Sequence, residues 1–404
     1  MNWSISLVSE RRTLLDLVEV IGGGTPSRSE PLYWGGDIPW ATVKDLSGLV
    51  IRDTAERITR EGLENSAANV VPAGAIVLAT RIAPGRAALA KFDLAINQDL
   101  KGLVPRDGVD AAYLLHFIRA SALRIARMGA GSTVKGITLE SLARVRILLP
   151  DLAEQRRTAA MLDKADGIQR KRRESVRLVD ELVRSAYVSI VGAGNSNYRH
   201  WPEMEIADLA ERRDGSIRTG PFGSALRHGE FTNQGEVAVL GIDNVVENCF
   251  RWTERRFISR ERYEKHFKRY TVRAGDVLVT IMGTTGKSAV APEDLPVAIS
   301  TKHLAVISLD QEHVRPEFLS HAIHGDPRVW AQIGAANRGA IMAGLNLGII
   351  KRLRIRLPPV VHQARFERVV ERVRHLRAGI VSARQTDEHL FRALAQGSFV
   401  VDMQ

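Results

Sequence analysis

Two long stretches of this 404-residue chain are each written twice. GAIVLATRIAPGRAALA (Gly74 to Ala90) lies over GDVLVTIMGTTGKSAVA (Gly275 to Ala291) without a gap, setting Gly74 on Gly275, Gly85 on Gly286 and Arg86 on Lys287. Further along, GITLESLARVRILLPDLAEQ (Gly136 to Gln155) lies over GLNLGIIKRLRIRLPPVVHQ (Gly344 to Gln363), setting Arg146 on Arg354, Pro150 on Pro358 and Gln155 on Gln363. The order of elements is kept, so the fold must be built twice from one plan.

Each copy has a mixed region, a Pro-terminated strand and then a long helical pattern. IVLAT and VLVTI read as short buried strands, while RVRILLP and RLRIRLPP alternate basic with apolar residues, the mark of a half-exposed strand. After Pro150 the period changes. Leu162, Ala165, Gln169, Arg172, Val176, Val179, Val183, Ala186 and Ile190 step by three and four, and so do Phe366, Val369, Val373, Leu376, Ile380, Ala383, Asp387, Leu390 and Leu394. Neither helix can bury such a seam alone, so the two are expected to bury it against each other, with Gln169 and Arg172 as polar interruptions. The alternative is a pair of ordinary core helices, which the charged flanks RKRRESVR and VERVRHLRAG disfavour. The expected architecture is α+β: two similar mixed α/β domains with two long antiparallel helices as a coiled-coil spacer and a near-twofold internal repeat. Residues 1–150 form the first domain, 151–192 the central helix, 193–358 the second domain and 359–398 the C-terminal helix, with VGAGNSN (Val191 to Asn197) as the hinge.

Charge narrows the function. Fifty-seven Lys and Arg against 46 Asp and Glu leave +11, which favours a polyanionic partner. Cys249 is the only cysteine, so an internal disulfide and a thiolate zinc cluster are both excluded. The opening MNWSISLVSERRTLLDL has no basic region followed by an apolar core, and no apolar run approaches about 18 residues, so a cytoplasmic protein is expected, with no membrane partner.

Catalytic motifs fail one by one. GGGT at Gly22 lacks the third glycine of a dinucleotide fingerprint and is followed by PSRSEPLYWGG, which cannot be a helix. IMGTTGKS ends like a phosphate-binding loop but carries Ile281 where the first glycine belongs. Asp93, Asp99 and Lys101 imitate a nuclease set, yet the second copy reads Ser300, Thr301 and Lys302 at the matching place. His321 and His324 lack a third ligand, and the Pro pair after Leu357 has no preceding Asn or Asp to make an amino-methyltransferase tetrapeptide. No catalytic residue, metal or cofactor is expected. What remains is recognition: Tyr33, Trp34 and Trp40 lie near Arg28 and Lys44, and Phe222 lies near Arg218 and Arg227, mixing rings and cations as DNA-contacting loops do. Trp40, which opens an apolar segment, can equally be core.

GGTPS, YWGGDIPW, GSTVKGIT and LLPDLAEQRRTAAMLD, with IRTGPFGSAL and LPPVVHQARF in the second half, resemble the specificity subunit of type I restriction-modification systems over nearly the whole chain. The resemblance implies a non-catalytic protein with two target recognition domains reading an asymmetric, bipartite double-stranded DNA sequence. It also implies helices that set the distance between half-sites and dock two methyltransferase subunits, which use S-adenosylmethionine, and a complex joined by restriction translocase/nuclease subunits. Motif matching places DNA contacts at Gly23, Thr25, Pro26, Tyr33, Trp34 and Lys44, and at Gly220, Pro221, Phe222, Gly223 and Ser224. Arg86, Lys287, Lys135, Asn337 and Arg338 join them by basicity and repeat position. Two other readings are a stand-alone DNA adenine methyltransferase with divergent motifs and a coiled-coil adaptor that reads no DNA.

Overall fold

The computed structural model describes residues 10–127, 136–222, 226, 231–246, 248–253, 255–283, 285–336 and 344–399, the side chains of 390, 392 and 394–398 excepted. The chain divides into two compact units, Met1–Arg173 with Ser382–Gln404, and Glu174–Val381.

In the first unit a five-stranded sheet runs in the order Val18–Gly22, Leu100–Pro105, Ile76–Ala79, Ala87–Ala90, Val50–Ile51. A four-stranded sheet runs Glu56–Ile58, Trp34–Ala41, Leu94–Ile96, Asn69–Val71. The second unit repeats this plan. Ile217–Thr219, Leu304–Ile307, Val277–Thr280 and Ser288–Val290 form one sheet, and Phe257–Ile258, Val237–Leu240, Ala298–Ser300 and Thr271–Val272 the other. The apolar runs are buried strands as their sequences require: every residue of Ile76–Ala79 and of Val277–Thr280 is buried. The basic-apolar strands Arg146–Leu149 and Arg354–Arg356 expose Arg146 and Arg354 and bury Ile147 and Ile355.

Matching glycines close matching hairpins. Gly85 (φ +87°) and Gly286 (φ +81°) adopt the left-handed conformation, and each N–H bonds back to the end of the preceding strand, at Ala79 (3.0 Å) and Thr280 (2.9 Å). A Cβ at Gly85 would lie 2.8 Å from the Ala122 carbonyl, and one at Gly286 2.8 Å from the Trp330 ring.

The long helices span Leu152–Ala186 and Val360–Ser398. Each begins on a buried glutamine that ties it to the domain before it. The Gln155 side-chain oxygen accepts from the Asp110 N–H (2.8 Å), and its amide donates to the carbonyls of Gly108 (3.0 Å) and Pro150 (2.8 Å). Gln363 makes the same three bonds, to Arg315 (2.8 Å), His313 (3.1 Å) and Pro358 (2.7 Å). The two amides thus satisfy buried backbone groups at a bend where no ladder can reach them.

The helices pair antiparallel: Arg172 meets Asp387 at 3.1 Å in the first unit, and Asp180 meets Arg377 at 3.1 Å in the second. The polar interruption at Arg172 is therefore answered by the polar Asp387. Leu162, Phe366 and Val373 are buried, and Val176, Val179, Val183 and Ile380 are half-buried. Leu376 is a correction. It is 58% exposed, because the inward positions run Phe366, Val370, Val373 and Arg377, and Arg377 reaches Asp180 from the place assigned to Leu376. The side chain of Leu390 lies outside the described residues. No helix among the described residues is long and apolar enough to cross a membrane.

Candidate nucleic-acid interface

Three loops meet at one end of the sheets in the first unit. The glycine loop after Val18–Gly22 presses against the turn Asn97–Gln98–Asp99 so closely that a Cβ on Gly23 would fall 2.1 Å from the Asn97 carbonyl oxygen. The Thr25 hydroxyl reaches the Gln98 side-chain oxygen. On its other flank the same turn holds the hairpin: Thr80 N–H bonds to the Asp99 carbonyl (2.8 Å), and Arg81 lies 3.7 Å from the Asp99 carboxylate. Ile137, which follows the GSTVK segment, donates to the Thr80 carbonyl (2.7 Å). Glycine loop, turn, hairpin and Ile137 are therefore joined to one another, with Gln98, Arg81 and Arg86 exposed.

The second unit assembles the same parts. A Cβ on Gly220 would meet the Ser300 carbonyl at 1.9 Å, Ile281 N–H bonds to His303 (3.0 Å), and Leu345 N–H bonds to Ile281 (3.1 Å). Phe222, two residues along the glycine loop, is 62% exposed, and Lys287 sits half-buried on the hairpin.

Not every expected contact residue faces outward. Pro26 and Pro221 are buried. Trp40 is core, 2% exposed beside Ile58, Ala68 and Ala95, and its indole N–H holds the Gly24 carbonyl at 3.1 Å. Trp34 stands edge-on to it at 5.1 Å and holds the Ser27 carbonyl at 3.0 Å, so both rings brace the glycine loop from behind. Arg28 lies 3.7 Å over the Trp34 ring and grips Glu56 with two bonds of 2.6 and 2.9 Å, which holds the Glu56 carboxyl below the usual carboxylate range. Tyr33 is half-buried, its carbonyl accepting from Thr59 (3.0 Å), and Lys44 is exposed.

Arg218 is turned fully inward. Its guanidinium pairs with Asp276 at 2.9 Å and donates to Ser308 (3.0 Å), Gly215 (3.1 Å) and Thr271, with 9% of the side chain exposed. Burial lowers its pKa against the Asp276 charge, which raises it. Both terminal nitrogens are engaged within the fold, so the expectation that Arg218 contacts DNA is withdrawn. Lys135, Gly223, Ser224, Asn337 and Arg338 lie outside the described residues. His321 is buried against Phe366 with Nδ1 2.8 Å from the Glu317 carbonyl, while Asp310, Glu312 and His313 bring three ligand atoms within 4.8 Å of one another at the surface.

Sequence reasoning passed over the turn in each unit. Asp99 enters the sequence reading only with Asp93 and Lys101 as an imitation nuclease set against Ser300, Thr301 and Lys302; the backbone bonds correct that pairing and set Asn97–Gln98–Asp99 on Thr301–Lys302–His303, whose side chains mismatch. The signal was that mismatch: equivalent turns carry different polar side chains.

A family model described as the type I restriction modification DNA specificity domain matches residues 9–178 and again 198–373. The chain belongs to this family. Part of the chain resembles named relatives. The chain is 30% identical over 176 residues to the type I restriction enzyme MjaIX specificity subunit of Methanocaldococcus jannaschii, an alignment covering 42% of this chain and 41% of that protein. It is 31% identical over 168 residues to the EcoR124I/EcoR124II specificity subunit of Escherichia coli, covering 39% of this chain and 41% of that protein. Each alignment thus spans about two-fifths of the relative. The fold as a whole is shared with the crystal structure of a type I restriction-modification system S subunit from M. genitalium, with a TM-score of 0.62 at 13% identity over 100% of this chain and 98% of that one. A chain from work on complex assembly and conformational transition of the type I R-M system matches with a TM-score of 0.56 at 14% identity, over 98% and 99%.

Proposed function

We propose that this chain is the non-catalytic, sequence-reading subunit of a type I restriction-modification complex, in which each specificity domain contacts one half of an asymmetric, bipartite DNA target. The observation that carries the reading is the paired interface: two equivalent loop clusters on one backbone plan, presenting different side chains. Cations such as Arg86, Lys287 and Lys44 supply phosphate contacts and a salt-dependent affinity, while the turns and glycine loops meet base edges. The domains are tied through Gln155 and Gln363 to long helices, so helix length sets the gap between half-sites. Exposed Leu178, Leu182 and Leu376 on these helices give two methyltransferase subunits an apolar surface to cover. Those subunits bring S-adenosylmethionine and methylate adenine in the cytoplasm, and translocase/nuclease subunits join the same assembly.

Genome-wide mapping of methylated adenine, in cells expressing the methyltransferase subunits with and without this chain, tests the reading. One bipartite motif should be methylated only when the chain is present. Methylation independent of the chain, or methyl transfer to DNA by the purified chain alone, would overturn it.

A further inference from the structure

We propose that Gln98 and Lys302 are the equivalent base-reading positions of the two units, Gln98 toward adenine and Lys302 toward guanine; the assignment rests on the DNA-recognition reading above. Matching bonds place the two residues at the same point of the fold. Asn97 N–H bonds to Ala41 (3.0 Å) as Thr301 N–H bonds to Leu240 (2.8 Å). Leu100 N–H closes the turn on Asn97 (3.1 Å) as Leu304 N–H closes it on Thr301 (3.1 Å). Asp99 and His303 then receive the hairpin N–H groups of Thr80 and Ile281. Each tip is therefore fixed on both sides by backbone, with the crowded glycine loop behind it and a basic hairpin beside it.

The side chains differ where the backbones agree. Gln98 is exposed, and the Thr25 hydroxyl donates to its carbonyl oxygen, which orients the amide and leaves its amino group and a second lone pair for a partner. One donor beside one acceptor is the pattern that complements adenine N7 and N6 in the major groove. Lys302 offers donors alone, which suits the two acceptors of guanine, N7 and O6. In the glycine loop, Phe222 takes the place of Thr25, so the second tip has an exposed ring where the first has a hydroxyl. Arg81, 3.7 Å from the Asp99 carboxylate, and Arg86, on the same hairpin, are exposed and suit phosphates, which position without discriminating.

The test is selection from a randomised duplex library, at fixed salt, by the full chain in complex with its methyltransferase subunits, comparing wild type with Gln98→Ala, Gln98→Lys and Lys302→Gln. Gln98→Ala should lose roughly tenfold or more of the preference at one adenine in one half-site. Gln98→Lys should move that preference to guanine, and Lys302→Gln should change the other half-site alone. Unchanged preferences in both half-sites overturn the assignment, as does an even loss of affinity for all sequences with a shallower salt dependence, the behaviour of a phosphate contact. If the wild-type complex selects no bipartite sequence, the recognition reading itself fails and takes this assignment with it.

Discussion

Ile21, Ala75 and Val104 pack as an apolar group in the first unit, and the same three backbone positions in the second unit carry Arg218, Asp276 and Ser308 as a buried ion pair with its hydroxyl. The strand registers make the match explicit, since Ile21 lies opposite Gly102 and Arg218 opposite Val306 in corresponding strands. One frame thus accepts either filling. Coulomb attraction in a dry interior is large, but so is the loss of hydration, and the two nearly cancel when every donor finds a partner. A polar group at such a position is therefore weak evidence of function, which explains why Arg218 looked like a DNA contact in the sequence and is a packing residue in the fold.

The strongest way to break this comparison is to orphan one charge. Asp276→Ala leaves Arg218 buried without its carboxylate and should cost the second unit about 3–5 kcal/mol in denaturant unfolding. The triple change Arg218→Ile, Asp276→Ala, Ser308→Val, which copies the first unit, should instead leave stability unchanged or raise it. A large loss in the triple variant would show that the two units are not interchangeable frames.

The glutamine joints make the opposite case, since here both copies keep the same residue. Gln155→Ala and Gln363→Ala each leave one N–H and two carbonyls without their partner, at about 1–3 kcal/mol for each group that water cannot reach. The two variants should lose similar stability, read from their unfolding midpoints; a loss confined to one would mean that only one joint carries strain.

His116 and His321 occupy one repeat position but meet different neighbours, Asp163 at 2.8 Å in the first unit and the Phe366 ring at 4.9 Å in the second. Burial, aided by the Arg374 charge, lowers the His321 pKa from 6.5 to about 4, against the bond to the Glu317 carbonyl, which raises it. Its contribution to stability is therefore complete above the unfolded value of 6.5. Below that pH the unfolded chain takes up a proton that the folded chain refuses, and stability falls until the folded group protonates near pH 4. Between pH 6.5 and 5 the second unit should lose about 2 kcal/mol through this group, and His321→Gln should flatten that slope in denaturant titrations.

The smallest effect concerns the helix seam. Leu376→Glu should change stability by less than about 0.5 kcal/mol, since the side chain already faces solvent, yet it should weaken capture of the methyltransferase subunits in a pull-down. A loss of several kcal/mol would restore Leu376 to the seam.

What was legible follows from physics. The repeat, the buried strands, the half-exposed Pro-terminated strands and the long helices were readable because periodicity reports burial directly. Leu376 was misplaced because a heptad count cannot tell that the neighbouring Arg377 will turn inward and set its charge on Asp180. The close approach of the glycine loops was legible in outline, through glycines whose missing Cβ permits it. Gln98 and Lys302 were not, because a turn of three polar residues has no period and gains meaning only when the fold superposes it on its twin.

The central claim is that each unit reads its own half-site from a common frame, so the most direct measurement is the DNA target of a chain carrying the first specificity domain in both places. In complex with the same methyltransferase subunits, that chain should select a target in which the half-site of the first domain appears twice. Selection of the original asymmetric sequence, or of a single unrepeated half-site, would contradict the account.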